Sequence, residues 1–326
     1  MPVHGPLHRS RSALEAVAAL APPPDEFIVI ADVPVTDQDL NGLPANTRIT
    51  HVPFRSGPAR ARNAGAALAD SRTLLFVDAD VVIRPDTIER VRSLLDGQPD
   101  VSALFGSYDD RPADPSFLSQ YRNLLHHFVH QQGCERASTF WAGLGAIRRE
   151  AFEAVGGFDP RFSKPSIEDI ELGCRIVGTG RSIRLVKDLQ ATHLKRWTAS
   201  GILTTDLLQR GIPWTRLILS RRQAPKDLSL DRIARLSTIA AFTIIASAIL
   251  APWYPLAGFV TLGATLSLIL LNLRFYSFLT RQRGLGFALG TIPWHGVFYL
   301  ECGLAAALGT LLHLRDLLAP TRSPTA

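Results

Sequence analysis

A handful of acidic residues and one histidine have the types and spacing that chemistry requires. Asp78 and Asp80 flank Ala79 directly after the apolar run Thr73-Leu74-Leu75-Phe76-Val77. Two carboxylates at i and i+2 on an extended strand end project the same way. Side by side they repel, so a positive partner is expected. A hard divalent cation with oxygen ligands, itself bridging phosphates, meets that need. The same tripeptide also occurs in plain acidic turns. Glu168 and Asp169 form a second pair, and adjacent carboxylates raise one another's pKa by like-charge repulsion. An acidic first helical turn, favoured by the macrodipole, is the competing reading. Asp32 closes another apolar run, Glu26-Phe27-Ile28-Val29-Ile30. His193 can ligate a metal, donate to a phosphate, or simply pack at a strand end. His126 and His130 share a helix face at metal-ligand spacing beside His127, but no further ligand motif completes a zinc site.

These residues need a frame to hold them. Helical stretches are predicted at Ser12 to Leu20, Ala59 to Ala69 and Pro85 to Leu95. Strands are predicted at Glu26 to Ile30, Ile49 to Pro53, Thr73 to Val77 and Val101 to Phe105. Continuous apolar strands alternating with helices indicate a mainly parallel sheet covered on both faces. Ligands of such sheets sit outside the carboxyl ends of the strands. Asp32, Asp78 and Asp80 fall there.

The second part of the chain has another character. From Leu236 to Leu273 there are 38 residues without Asp, Glu, Lys, Arg or His. One span needs about 20 apolar residues, so this run suits two, with a hinge at Pro252-Trp253-Tyr254-Pro255. Arg221, Arg222, Lys226, Arg232 and Arg235 precede the pair, and Arg274, Arg281 and Arg283 follow it. The positive-inside rule then places both flanks in the cytoplasm. A third apolar segment, Leu285 to Leu314, is interrupted by Pro293, His295 and Glu301, and is a third span or a re-entrant element. Before the anchor, Leu203, Leu207, Trp214 and Ile218 recur near helical spacing with Arg210, Arg216 and Arg221 among them. Divided at Gly211 and Pro213, this reads as interfacial helices on a bilayer, or as ordinary amphipathic helices of the soluble domain. The net charge of +6 suits anionic partners generally. No stacking platform of interleaved aromatic and basic residues is present, so no nucleic-acid partner is expected. Cys134, Cys174 and Cys302 are odd in number, without metal-type spacing, as in a reducing compartment. The N-terminus lacks a signal-peptide core, so the first domain is expected in the cytoplasm.

Several motifs in this order resemble one family. They are Gly57-Pro58-Ala59-Arg60-Ala61-Arg62-Asn63-Ala64-Gly65, Phe76-Val77-Asp78-Ala79-Asp80-Val81 and Trp141-Ala142-Gly143-Leu144-Gly145-Ala146-Ile147-Arg148-Arg149 with Gly156-Gly157-Phe158-Asp159. Glu168-Asp169-Ile170-Glu171-Leu172-Gly173-Cys174-Arg175 and His193-Leu194-Lys195-Arg196-Trp197 complete the set. Over roughly residues 25 to 200 the chain resembles inverting glycosyltransferase family 2, membrane-anchored members included. The resemblance implies a GT-A fold, a Rossmann-like mixed sheet with helices on both faces. It also implies roles. Asp32 would contact the nucleotide base and Asp78 the ribose side of the donor. Asp80 would ligate Mg or Mn, with His193 as a further ligand although the family's box usually carries glutamine there. Asp169 would be the general base, its pKa assisted by Glu168. Arg60, Arg62 and Asn63 would lie near the donor, and Arg196 and Trp197 near the pyrophosphate and the acceptor entrance.

The expected organisation is a catalytic domain over 1–200, an amphipathic interfacial segment over 201–230 and a transmembrane anchor over 231–320. The expected function is sugar transfer from a nucleotide-sugar donor to a lipid acceptor at the cytoplasmic face of the inner (plasma) membrane. A processive polysaccharide synthase and a non-catalytic membrane scaffold are the alternatives. Family members open with a hydrophobic strand, yet this chain begins Met1-Pro2-Val3-His4-Gly5. The first strand is therefore expected to be missing or a stub, through a downstream start or a shortened sheet.

Overall fold

The computed structural model describes residues 1–36, 39, 41–44, 46–221 and 232–319. Arg222 and Lys226, two of the basic residues expected before the anchor, lie outside the described residues. The chain divides into two compact units, Met1–Trp197 and Thr198–Ala326.

In the first unit, a small parallel sheet joins β1 (Pro2–Val3), β2 (Phe27–Ala31) and β3 (Thr47–His51). The larger sheet contains β4 (Thr73–Val77), β5 (Val81–Ile83), β6 (Val101–Tyr108), β7 (Arg136–Ala137), β8 (Leu144–Arg148) and β9 (Ser182–His193). Its order is β4-β8-β6-β9-β5, with β7 also on β9. Strands β4, β6 and β9 share one direction, and β5, β7 and β8 oppose them. The sheet is thus mixed. Of the antiparallel members, β7 and β8 lie beyond the segment where the sequence pattern alternates strand with helix, and β5 is a three-residue strand within it.

Helices cover both faces: α1 (Arg11–Ala18), α2 (Pro58–Leu68), α3 (Thr87–Asp96), α4 (Phe117–Gln132), α5 (Arg149–Ala154) and α6 (Glu168–Gly178). Pro58 opens α2 at a position whose N–H would be unpaired in any case. On one face Leu14, Val17, Ile88, Val91 and Leu95 pack with Val29, Val77, Val81 and Leu104. On the other, Phe76 meets Phe158 edge-on at 5.2 Å, beside Phe105, Phe140, Ile147 and Leu172. Each such buried side chain stabilises by roughly 1.5–3 kcal/mol relative to exposure.

The first strand is the expected stub, two residues long. It pairs only Ile30 and Ala31 of β2, and β4 pairs with β8 alone among the described strands. A cavity of about 480 Å³ remains, lined by Ile28, Ile30, Gly65, Leu74 and Phe76 among others.

The second unit is helical: α7 (Ala199–Leu203), a π-helical stretch (Thr204–Gly211), α8 (Ile212–Arg221), α9 (Arg232–Leu250), α10 (Pro255–Leu271), α11 (Leu273–Arg283) and α12 (Leu285–Leu318). The expected division at Gly211 and Pro213 does not occur. Helical structure runs on from Ala199 to Arg221 through the wider turns, and such a stretch relieves the clash between a proline ring and the preceding turn. Gly211 also lets the backbone approach Ala305 of α12, and Gly309 does the same at Thr215, the small-residue contact usual between apolar helices. Helices α9 and α12 are each long and apolar enough to cross a membrane, and α10 with α11, bent by 67°, is a candidate third span. At the bend, the Asn272 amide donates to Ser237 at 2.9 Å and accepts from the Tyr299 hydroxyl at 2.7 Å. Glu301 is buried in α12.

The sheet itself depends on one close approach. β6 shifts register between Phe105 and Ser107, and a Cβ on Gly106 would overlap the Leu189 carbonyl of β9. Gly106→Ala is expected to cost about 1–3 kcal/mol, read as a lower denaturation midpoint for the first unit. A midpoint equal to the native chain's would show that the shift tolerates a side chain.

Candidate active site at the strand ends

Backbone register brings the acidic residues together. Val77 of β4 pairs with Leu144 of β8, and just beyond, the Asp78 N–H donates to the Gly143 carbonyl at 3.2 Å. The neighbouring Ala142 N–H donates to a carboxylate oxygen of Asp169 at 3.2 Å. One turn of chain, Ala142-Gly143, therefore ties Asp78 to Asp169. Asp169 can stand there because α6 packs tightly: a Cβ on Gly173 would overlap the backbone of Thr139 and Phe140. Val81 of β5 pairs with His193 of β9, which sets His193 Nε2 3.4 Å from Asp80 Oδ2.

Arg62 is the buried charge of the site. Its guanidinium donates to Asp78 at 2.6 Å and to Glu168 at 2.9 Å, and lies 5.4 Å over the Phe158 ring. Burial pushes its pKa down, but the carboxylates of Asp78, Glu168 and Asp169 more than offset this, and the net shift is upward. Arg62 thus stays charged. Glu168 is buried and also accepts the Ser166 N–H at 2.9 Å. Its carboxylate is paired with Arg62.

Asp80 is partly exposed. Burial is the largest influence on its carboxyl and acts upward. The neighbouring His193 and Lys195 outweigh it and hold the pKa below the usual value. The Lys195 ammonium also lies 3.9 Å from the Trp197 ring centroid. The sequence reading gave Lys195 no role, although it sits inside the quoted box. Among the described residues no group of three metal-ligating side chains is preassembled. Asp80 and His193 are a two-ligand pair, which suits a cation that takes its remaining ligands from phosphates and water.

Asp32 stands at the end of β2. It accepts from the Gly5 N–H at 2.9 Å and contacts His4 Nδ1 at 2.5 Å, with the Arg55 N–H at 3.4 Å. Burial acts to raise its pKa, but these donors win and lower it. His4 stacks on the exposed ring of Phe54 at 5.8 Å. This aromatic shelf escaped the sequence reading because it joins two distant loops.

Other expected residues lie elsewhere. The Asn63 amide clasps the Phe158 backbone, donating to its carbonyl at 2.7 Å and accepting its N–H at 2.8 Å. Both polar atoms of the Asn63 amide are engaged in this clasp. Arg60 is exposed and reaches only the Pro160 carbonyl at 3.5 Å. Arg196 is exposed, whereas Trp197 is buried, its N–H on Ser119 at 2.7 Å. His127 Nδ1 donates to the Tyr108 carbonyl at 2.7 Å and His126 stacks on Tyr108 at 5.8 Å.

A mixed sheet with acids at the carboxyl ends of its strands, around a buried arginine, is the GT-A arrangement of glycosyltransferases. Residues 1–156 match the model of glycosyl transferase family 2. The validoxylamine A glucosyltransferases of Streptomyces hygroscopicus subsp. jinggangensis (strain 5008) and subsp. limoneus are each 25% identical over 169 residues. The match takes in 41% of this chain, and 39% and 36% of those relatives, so the chain spans under half their length. The mannosyltransferase PcManGT from Pyrobaculum calidifontis, solved with GDP-Man and Mn2+, superposes with a TM-score of 0.53 at 16% identity, covering 97% of this chain and 86% of that one. That likeness is one of fold.

Two substitutions separate the roles of neighbours on α2. Asn63→Ala should lower stability by about 1–3 kcal/mol through unpaired Phe158 groups and leave donor affinity unchanged. Arg62→Met should cost about 3–5 kcal/mol by stranding a buried charge and weaken donor binding as well. Thermal unfolding and nucleotide titration read both, and a donor-affinity loss confined to Asn63→Ala would reverse the assignment.

Proposed function

We propose that the chain is an inverting glycosyltransferase moving a sugar from a nucleotide-sugar donor to a lipid acceptor at a membrane surface. The observation that carries this reading is the shared placement of Asp78, Asp80 and Asp169 around the Ala142-Gly143 turn and the β5–β9 pairing. A scaffold has no need of all three acids in one place.

In this reading Asp32 holds the base beside the Phe54 shelf, and Asp78 accepts from a ribose hydroxyl on its exposed side. Asp80 and His193 would hold a divalent cation, Mg or Mn, which when bound supplies charge neutralisation for the departing nucleoside diphosphate. Lys195 adds positive charge on the same side. Asp169 takes the proton of the acceptor hydroxyl onto a carboxylate oxygen. Backbone N–H groups of Ala142 and Ile170 at 3.2 and 2.8 Å keep that carboxylate oriented. Inversion follows when the acceptor oxygen attacks the anomeric carbon from the side opposite the leaving diphosphate.

The lipid acceptor rests on the second unit. Its apolar helices α9 and α12 suit a bilayer, and the basic, partly apolar stretch Ala199–Arg221 suits its interface. The arginines around α9 and α11 support a reading with the catalytic domain on the cytoplasmic face of the inner (plasma) membrane.

Transfer is tested in membranes with a panel of UDP- and GDP-sugars, following release of nucleoside diphosphate. Asp169→Asn should lower turnover by about 10²- to 10⁴-fold while donor affinity holds. Turnover unchanged in Asp169→Asn removes the general base from this reading.

A further inference from the structure

One buried polar contact of the site belongs to a residue that none of the motifs contains. Asn123, on α4, is buried at 1% exposure, and its Oδ1 lies 2.6 Å from His193 Nδ1. An amide oxygen only accepts, so His193 Nδ1 must carry the proton. The neutral ring then has its lone pair on Nε2. Nε2 is the atom that faces Asp80 Oδ2 at 3.4 Å. Two lone-pair atoms in that position repel each other unless something positive sits between them. The separation also exceeds the usual 2.7–3.2 Å of an N–H···O bond, as expected if no proton joins them. The ring cannot turn away: it stacks on Tyr108 at 4.3 Å and 12°, with Trp197 edge-on at 6.4 Å. Asn123 Nδ2 is buried without a hydrogen-bond partner. A buried orphan donor costs free energy, and it is tolerated here in the orientation that gives His193 an acceptor.

We propose that Asn123 is a positioning residue that fixes the Nδ1–H tautomer of His193, turning Nε2 and Asp80 into a paired cation site. This rests on the reading of Asp80 and His193 as cation ligands, and goes beyond it in naming what makes the histidine competent. Outer partners of metal-ligating histidines act in this way, and losing one typically weakens metal affinity by about 10- to 100-fold.

The test uses the full chain in detergent with Mn2+ alone as probe, free and bound ion being separated by EPR titration. Asn123→Leu, apolar and of similar size, should weaken Mn2+ binding by about 10- to 100-fold. Asn123→Asp keeps the acceptor and should bind at least as tightly as the native chain. A merely structural residue gives the opposite ranking, because leucine suits a buried site and a lone carboxylate does not. Native affinity in Asn123→Leu, or equal losses in both variants, overturns the proposal. Should either variant fail to fold, histidine 15N spectra of the native metal-free chain decide, with the His193 signal identified by its loss in His193→Gln. Protonated Nδ1 supports the proposal, and protonated Nε2 overturns it. Asp80→Ala separates the two levels. If it leaves Mn2+ binding unchanged, the underlying ligand reading fails; if it abolishes binding while Asn123→Leu does not, only the role of Asn123 fails.

Discussion

One buried guanidinium organises the catalytic unit. Arg62 enters from α2 and is held by Asp78 at the end of β4 and by Glu168 at the start of α6. Three elements distant in sequence are thus fixed to each other by a single planar group. Arginine suits the task better than lysine, because its fork reaches two carboxylates at once and it does not lose its proton. Burying such a cluster is not in itself a source of stability, since desolvation offsets the attraction. What it gives is geometry: Asp78 and Asp169 end up on either side of one short turn. Phe158, clasped by Asn63 and facing Arg62, closes the cluster from below.

The reactive groups sit where backbone pairing stops. β4 ends and Asp78 begins; β5 and β9 pair until Val81 meets His193, and Asp80 lies one residue before. Carboxylates at such ends face outward from the sheet while their backbone remains anchored. That combination suits a site that must hold a charged nucleotide without itself moving. Lys195 adds a positive charge near Asp80.

Much of this was legible in the sequence. The apolar run Thr73–Val77 and the helix expected over Ala59 to Ala69 appear where the sequence pattern put them, the helix running from Pro58 to Leu68. The pair Asp78 and Asp80 stood out because two acids after a buried strand need a reason. Less could be read where partners come from afar. Nothing local marks Asn123, an ordinary polar residue on a helix whose partner is 70 positions away. The hydrogen bonds of the Asn63 amide escaped for the same reason, their partner Phe158 being 95 positions on. Glu168 looked like a charged neighbour of Asp169 until its pairing with Arg62 became visible. In the helical unit, composition located the apolar segments, but the continuous helix across Gly211 and Pro213 depends on tertiary contact with Ala305. Such contacts leave no periodic trace.

The most direct measurement is a density map of the full chain with Mn2+ and a non-hydrolysable nucleotide sugar. Expected is a metal touching Asp80 and His193, a diphosphate beside it, the ribose against Asp78, and the anomeric carbon facing Asp169. A nucleotide bound elsewhere, or in place with Asp169 turned from the sugar, would contradict the assignment of this cleft as the catalytic centre.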